Sequence, residues 1–186
     1  RCKSAPVAVV KFNPIDNANL KNVKQAVDAK EYNPSIPKYI NMNEYIDNGG
    51  YKLYSSLKKN KIKSEEVLTE LENSNLRGLG GAGFPAGKKW RILKDQPSPR
   101  LLAINIDEGE PGTFKDRFYL ETDPHRFFEG MLVASEVVGI DKIYIYLRDE
   151  YAAVRSLMEY ELDELRNKFK DQIPDIELRR GAGAYI

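Results

Sequence analysis

Residues 142–180 read KIYIYLRDEYAAVRSLMEYELDELRNKFKDQIPDIELRR, and the order of their parts decides the fold. KIYIYLR is a run of β-branched and aromatic residues of strand type, DEYAAVRSLMEYELDELRNKF a long amphipathic helix, and DIELRR a further strand. Upstream, LLAINI (101–106) is a short apolar run with the look of a buried strand. Between them DPHRFFEGMLVASEVVG (123–139) places Phe127, Met131, Leu132, Ser135 and Val138 near helical spacing, with Asp123 as the cap and Pro124 at the first helical position. Strand, helix, strand, helix, strand predicts a parallel sheet with right-handed crossovers.

The first half is less regular. Residues 13–50 carry NPIDNANL and EYNPSIPKYINMNEYIDNGG, where Asn, Pro and Gly recur too often for long elements, and the segment reads as a connection. Helices are expected at 51–59 and 64–73, the second with Ser64 as its cap ahead of Val67, Leu68 and Leu71. A short helical piece follows around Gly87 to Leu93, then the turn DQPSPR. APVAVV near the start resembles a buried strand.

With 186 residues and 41% apolar composition, the chain can bury the core of one good-sized domain. Lys plus Arg number 29 against 28 Asp plus Glu, so a formal charge of +1 gives no global reason to bind nucleic acid or an anionic membrane. An anion site must be local. No apolar run approaches the length that crosses a bilayer, and RCKSAPVAVV lacks the organisation of a signal peptide, so a soluble cytoplasmic protein without membrane insertion is expected. One cysteine, Cys2, and one histidine, His125, cannot assemble a multi-ligand zinc or iron–sulfur site from within this chain. The abrupt ends, RCKSAPVAVV and RRGAGAYI, read as those of an internal fragment.

Three stretches can carry chemistry. LRGLGGAGFPAGKKW (76–90) matches G-x-G-x-x-G literally at Gly78, Gly80 and Gly83, the pattern that lets a pyrophosphate approach the main chain at a helix N-terminus. The ordinary dinucleotide fingerprint follows a strand, whereas here a helix ending near Asn73 precedes it. A solvated linker is the plain alternative, but Phe84-Pro85 and Lys88-Lys89 fit a loop that contacts a planar, phosphorylated ligand. In the second stretch, AINIDEGEPGTFKDR (103–117), Asp107, Glu108 and Glu110 crowd past the end of a strand. They can hold a divalent metal, accept from ribose hydroxyls and a heterocycle, or form a solvated loop answered by Lys115 and Arg117. Asn105, an amide inside an apolar strand, needs a partner. The third stretch, RRGAGAYI, reads alone as a strand and a turn. His125 is expected in solvent or at a cap.

Taken in order, RGLGGAGFPAGKKW (77–90), NIDEGEPGTFKDR (105–117), IYIYLRDEY (143–151) and GAGAYI (181–186) resemble the family of flavin subunits of NADH-linked iron–sulfur oxidoreductases. That family includes the flavoprotein subunit of respiratory NADH:quinone oxidoreductase and the diaphorase subunits of NAD-linked hydrogenases and formate dehydrogenases. RGLGGAGFPAG, DPHRFFEGM, IYIYLRDEY and ELRRGAGAYI look most like the beta, or diaphorase, subunit of molybdenum-containing NAD-dependent formate dehydrogenase. Many members carry Arg where Leu79 stands, so one contact to phosphate or flavin is removed here.

The resemblance implies an α/β, three-layer, mostly parallel-sheet FMN-binding domain, truncated, and preceded by the tail of a thioredoxin-like [2Fe-2S] domain. Residues 1–12 would be that tail, 13–48 a linker, and 49–186 the N-terminal part of the FMN/NADH-binding domain. By matching position, Gly78, Gly80, Gly83, Lys89, Asn105, Asp107, Glu108 and Tyr185 are expected on FMN, and Phe84 and Glu110 on the NADH. Cys2 matches the last cysteine ligand of the [2Fe-2S] cluster, and a [4Fe-4S] cluster belongs to the family's later residues, so neither cluster is complete in this fragment. The expected activity is exchange of hydride with nicotinamide and of single electrons with clusters, without an acid, base or nucleophile from this chain. The partners implied are a molybdenum-containing formate dehydrogenase alpha subunit and a [2Fe-2S] subunit. The rivals are the same chemistry in NADH:quinone oxidoreductase or hydrogenase, and a nucleotide-binding scaffold domain without cofactor.

Overall fold

The second half builds a three-stranded sheet of order β3-β4-β5, made of Leu101–Ile106, Lys142–Leu147 and Asp175–Arg180, in a computed structural model that describes residues 4–79 and 81–183. Both pairings are parallel and in simple register: Ile104 faces Ile145, which faces Leu178. Long helices make the two crossovers, α7 (Pro124–Val138) and α8 (Ala152–Phe169). Because the strands advance in one direction, right-handed crossovers put both helices on the same face.

That single-sided covering explains the burial. Ile106, Ile143, Ile145, Leu147 and Ile176 point into the core with Phe128, Met131, Leu132, Leu157, Met158, Leu162 and Leu165 of the two helices. Each such side chain, removed from water, contributes about 1.5–3 kcal/mol. The opposite rows, Leu101–Lys142–Asp175, Ala103–Tyr144–Glu177 and Asn105–Tyr146–Arg179, are exposed or half-exposed. The expected α/β class and mostly parallel sheet are present. Helix α7 has its expected boundaries: the Asp123 side chain accepts from the Arg126 amide, Pro124 opens the helix, and Gly139 closes it at φ +77°. Arg100 finishes that end, donating from Nε to the Gly139 carbonyl and from Nη1 to the carbonyls of Lys94 and Gln96, each at 2.8 Å.

The segment 13–50 departs from the expected connection. It contains β2 (Asn13–Ile15), which pairs antiparallel with β1 (Ala8–Val10), followed by α1 (Leu20–Asp28) and α2 (Met42–Asp47). Two of the asparagines read as breakers are helix caps: the Asn19 side chain accepts from the amides of Lys21 and Asn22, and that of Asn41 from Glu44. The boundary expected after residue 12 falls in the turn of the β1–β2 hairpin. APVAVV is not a buried strand, since Val9 is 65% exposed and only Val10 of the strand is buried.

Helices α3 (Lys52–Lys58), α4 (Ser64–Asn73) and α5 (Ala86–Lys94) lie where expected, but Ser64 is the first helical residue of α4 and not its cap. Lys63 holds the cap position, and its amide donates back to Glu66 at 2.7 Å. An unexpected α6 (Lys115–Thr122) follows the acidic stretch. No helix among the described residues is long and apolar enough to cross a membrane.

Candidate functional site

The glycine-rich stretch leaves α4 and closes on itself before entering α5. Ala86 donates its amide to the Leu76 carbonyl at 2.8 Å and Gly78 to the Phe84 carbonyl at 3.0 Å, with Arg77 bridged to Pro85 between them. Arg77 adds a side-chain tie, from Nη1 to the Gly83 carbonyl, and another from Nε to Asn75 Oδ1, both 3.2 Å. At φ +52°, Gly83 occupies backbone space that L side chains rarely enter. A Cβ built at Gly81 or Gly83 meets nothing within 4 Å, so the main chain is bare on that side. The loop delivers the chain into α5, where the Ala86 amide is taken by Leu76, those of Gly87 and Lys88 have no acceptor among the described residues, and the Lys88 and Lys89 side chains are exposed. Phe84 is 41% exposed beside it. Bare backbone, open helix amides and lysines form an arrangement suited to an anionic, phosphate-bearing ligand.

The second cluster lies at the carboxyl ends of the parallel strands. The Asn105 amide that needed a partner has one in the Asp107 backbone, which donates to Oδ1 at 2.8 Å, and the Asp107 side chain is exposed. Glu108 turns inward and is 5% exposed. Its Oε1 accepts from the Asp116 amide at 3.0 Å; its Oε2 accepts from the Arg117 amide at 3.3 Å and the Tyr151 hydroxyl at 2.9 Å. The carboxylate thus caps α6 from seven residues upstream of the helix. Burial pushes its pKa up, but the donors from Asp116, Tyr151 and Arg117 outweigh it and hold the group below the usual range. In return, burial and Glu108 push the Tyr151 hydroxyl up to about 12. The Glu108 carbonyl accepts from Arg148 Nη1, and Arg148 forks onto Glu150 at 2.9 and 3.0 Å.

Beyond β4 and β5, Asp149 binds both Arg180 and, at 3.4 Å, Arg155; Arg180 holds its carboxyl below the ordinary range. Gly181 donates to the Leu147 carbonyl at 2.7 Å, and the Ala182 amide to the Tyr146 hydroxyl at 3.2 Å, folding the last described residues over the end of β4.

Of the residues singled out from sequence, Asn105, Asp107 and Glu108 are brought together at this strand end, and Gly78, Gly83 and Phe84 in the glycine loop. Lys89 lies exposed in α5 and Glu110 exposed in the turn before α6. Gly80, Tyr185 and Cys2 lie outside the described residues. The carboxylates 107, 108 and 110 do not form a metal site: no group of three or more His, Cys, Asp or Glu among the described residues is placed to hold one. Arg77, Arg148, Asp149 and Tyr151 were missed. For the Arg148-Asp149 pair a signal existed, because it directly follows an apolar strand just as Asp107 does.

His125 is neither at the surface nor a cap. It is fully buried, with Nε2 at 2.8 Å from Glu161 Oε2 and Nδ1 at 2.8 Å from the Tyr51 hydroxyl.

Comparison with known proteins gives one consistent result. Residues 71–186 match the family Complex1_51K, described as the Nuo51 FMN-binding domain. The chain is 40% identical over 158 residues to a subunit of the NADH-quinone oxidoreductase of Aquifex aeolicus (strain VF5), covering 81% of this chain and 37% of that protein. It is 42% identical over 138 residues to the alpha subunit of the NAD-reducing hydrogenase HoxS of Cupriavidus necator, covering 67% of this chain and 22% of that one. The crystal structure of an NAD+-reducing [NiFe]-hydrogenase in the H2-reduced state superposes with TM-score 0.76 and 28% identity, over 98% of this chain and 34% of that chain. The chain therefore spans under two fifths of the length of these relatives.

Proposed function

We propose, from the premise that the chain belongs to the Nuo51 FMN-binding domain family, that it is part of the NADH-oxidising flavin subunit of a multi-subunit NAD-linked oxidoreductase. The observation that carries this reading is the glycine loop. It is pinned at its base, bare where a Cβ would stand at Gly81 and Gly83, and continuous with the lysine-bearing start of α5. These residues fit FMN: an anionic, flat group needs close approach to backbone donors, and the open space at Gly81 and Gly83 leaves room for it. FMN would supply, when bound, the conversion between the two-electron hydride of a nicotinamide and the one-electron steps of iron–sulfur clusters.

The chain's own share is binding and orientation. Gly78, Gly83 and Lys89 would hold the phosphate-bearing part, Asn105 and Asp107 would accept or donate along the flavin edge, and Phe84 and Glu110 would meet the dinucleotide. Gly80 and Tyr185 belong to the same set by sequence position. Glu108 serves by holding the strand end: with its oxygens already accepting from Asp116, Arg117 and Tyr151, it fixes where Asp107 projects. No side chain here is asked to move a proton during hydride transfer.

The finer reading is that the parent is a cytoplasmic, molybdenum-containing NAD-dependent formate dehydrogenase, with this chain in its diaphorase subunit beside the alpha subunit and a [2Fe-2S] subunit. It is supported by Leu79 and by the stretches RGLGGAGFPAG, DPHRFFEGM and ELRRGAGAYI. Cys2 and the residues up to 12 would then belong to a [2Fe-2S] domain, 13–48 to a linker, and a [4Fe-4S] cluster to later residues. The relatives named above favour the second reading, a flavin subunit of NADH-quinone oxidoreductase or NAD-reducing hydrogenase type.

The test is FMN content after gel filtration of the full-length protein, followed by NADH-dependent dye reduction. Stoichiometric FMN and NADH oxidation are expected, and a folded protein without FMN would sink the reading. Formate-dependent NAD+ reduction by the native assembly then separates the two parents: activity with formate supports the first, activity only with quinone or hydrogen the second.

A further inference from the structure

Arg77 is exposed and yet fully directed. Its Nε is taken by Asn75 Oδ1, at the residue that leaves α4 at φ +53°, and its Nη1 reaches across the mouth of the glycine loop to the Gly83 carbonyl. The peptide joining Gly83 to Phe84 is trans and planar, so its carbonyl and its N–H point in opposite directions. Holding the Gly83 oxygen on the Arg77 side therefore turns the Phe84 N–H to the other side. There it meets no acceptor among the described residues, whereas the Phe84 carbonyl is occupied by the Gly78 amide. The Phe84 side of this peptide is held by the Gly78 amide, whereas on the Gly83 side the guanidinium is the restraint, because Gly83 has no Cβ to limit its own rotation.

We propose that Arg77 is a positioning residue for the glycine loop: by fixing the Gly83–Phe84 peptide it aims the Phe84 amide at the phosphate of the bound flavin nucleotide. This rests on the reading of the loop as an FMN cradle. The effect comes through the fork geometry of the guanidinium, which reaches Asn75 and Gly83 at once; a lysine carries the charge but has one donor centre on a flexible stem. Leu79 stands in the same loop with its side chain fully exposed, so it offers no competing tie.

The experiment uses the full-length protein stripped of flavin, as wild type, Arg77→Met and Arg77→Lys, titrated separately with FMN and with riboflavin, which lacks the phosphate. Loss of a charge-assisted contact to phosphate is expected to weaken FMN about ten- to a hundredfold in Arg77→Met. Arg77→Lys should be weakened nearly as much, and riboflavin affinity should stay within about twofold in both. Circular dichroism melts verify that the variants are folded. FMN affinity unchanged in Arg77→Met overturns the proposal. So does wild-type affinity in Arg77→Lys, which makes charge alone sufficient, or equal weakening of FMN and riboflavin, which makes Arg77 a general prop of the loop. Wild-type protein that binds neither flavin fails differently: it overturns the cradle reading itself, and this inference with it.

Discussion

His125 and Glu161 meet across the core, imidazole Nε2 to carboxylate Oε2 at 2.8 Å, with the two side chains 0% and 1% exposed. The tautomer follows from counting donors. Glu161 accepts a second bond at 2.6 Å from the Tyr39 hydroxyl, and among the described residues the Tyr51 hydroxyl has His125 Nδ1 as its partner. In the neutral ring Nε2 therefore carries the proton and Tyr51 donates to Nδ1. This chain of four groups fastens the segment around residues 39–51 to α7 and α8. Replacing His125 by Leu leaves a buried carboxylate with half its donors, so a loss of about 3 kcal/mol is expected in urea unfolding. Tyr39→Phe should cost about 1 kcal/mol, because Tyr39 is only partly buried and its loss leaves His125 in place.

The same pair gives the protein an acid-sensitive stability. Burial raises the Glu161 pKa, but the hydrogen bonds from His125 and Tyr39 outweigh it and leave the group lower than in the unfolded chain. The unfolded state then binds the proton more readily, so the contribution is full above the ordinary glutamate pKa of about 4.3 and is lost as pH falls through the lower folded value. A series of melting temperatures from neutral pH downward should show a smaller acid loss in Glu161→Gln than in wild type. Parallel curves would remove Glu161 from the account.

Glu129 closes a helix to which it does not belong. The residue ahead of α3 is Tyr51, which sits at φ +59° and offers no capping side chain. Glu129 Oε2 accepts instead from the Tyr51 amide at 2.8 Å and the Tyr45 hydroxyl at 2.7 Å. Glu129→Ala is expected to cost about 1–2 kcal/mol, the range for loss of a cap, and Glu129→Gln, which retains an acceptor oxygen, markedly less. Thermal unfolding of the two variants side by side measures the difference.

These partners also mark where sequence legibility ended. The sheet and α7 were readable because their signals are local: KIYIYL and LLAINI are apolar hexads, and Asp123, Pro124 and Gly139 punctuate the helix between them. Helices α1 and α2 were hidden because Asn19 and Asn41 serve equally in turns and at caps, and only the following hydrogen bonds distinguish the two. Helix α6 was hidden because its cap, Glu108, stands seven positions ahead of it and because Phe118 and Tyr119 face outward. For the candidate site the residue types were visible at both loops. What sequence could not carry was direction: Glu108 turned inward, Asp107 outward, and His125 toward Glu161 and Tyr51, each decided by partners distant in the chain.

Gly87 shows how a single missing methyl group sets the position of the glycine loop. It is buried in the first turn of α5 against α4, and a Cβ built there would lie 2.6 Å from Glu72 Cγ, 2.8 Å from the Glu72 backbone nitrogen and 3.0 Å from its Cα. The side chain of Glu72 can swing, but its backbone cannot, so the helices must separate. One turn on, Arg91 clamps the same residue, donating from Nε and Nη2 to the two Glu72 oxygens at 2.8 Å each, and that clamp resists the separation. In an open helix, Gly→Ala gains up to about 1 kcal/mol from helix propensity; overpacking of this kind costs about 1–3 kcal/mol, so Gly87→Ala should destabilise. Gly130 in α7 is the internal control, since a Cβ there meets nothing within 4 Å, and Gly130→Ala should stabilise. Opposite shifts of the urea midpoint in the two variants are the expected result. Because α5 continues directly from the loop, Gly87→Ala should also weaken FMN retention while Gly130→Ala leaves it intact; stabilisation by both substitutions would show that α4 and α5 are not held at this contact.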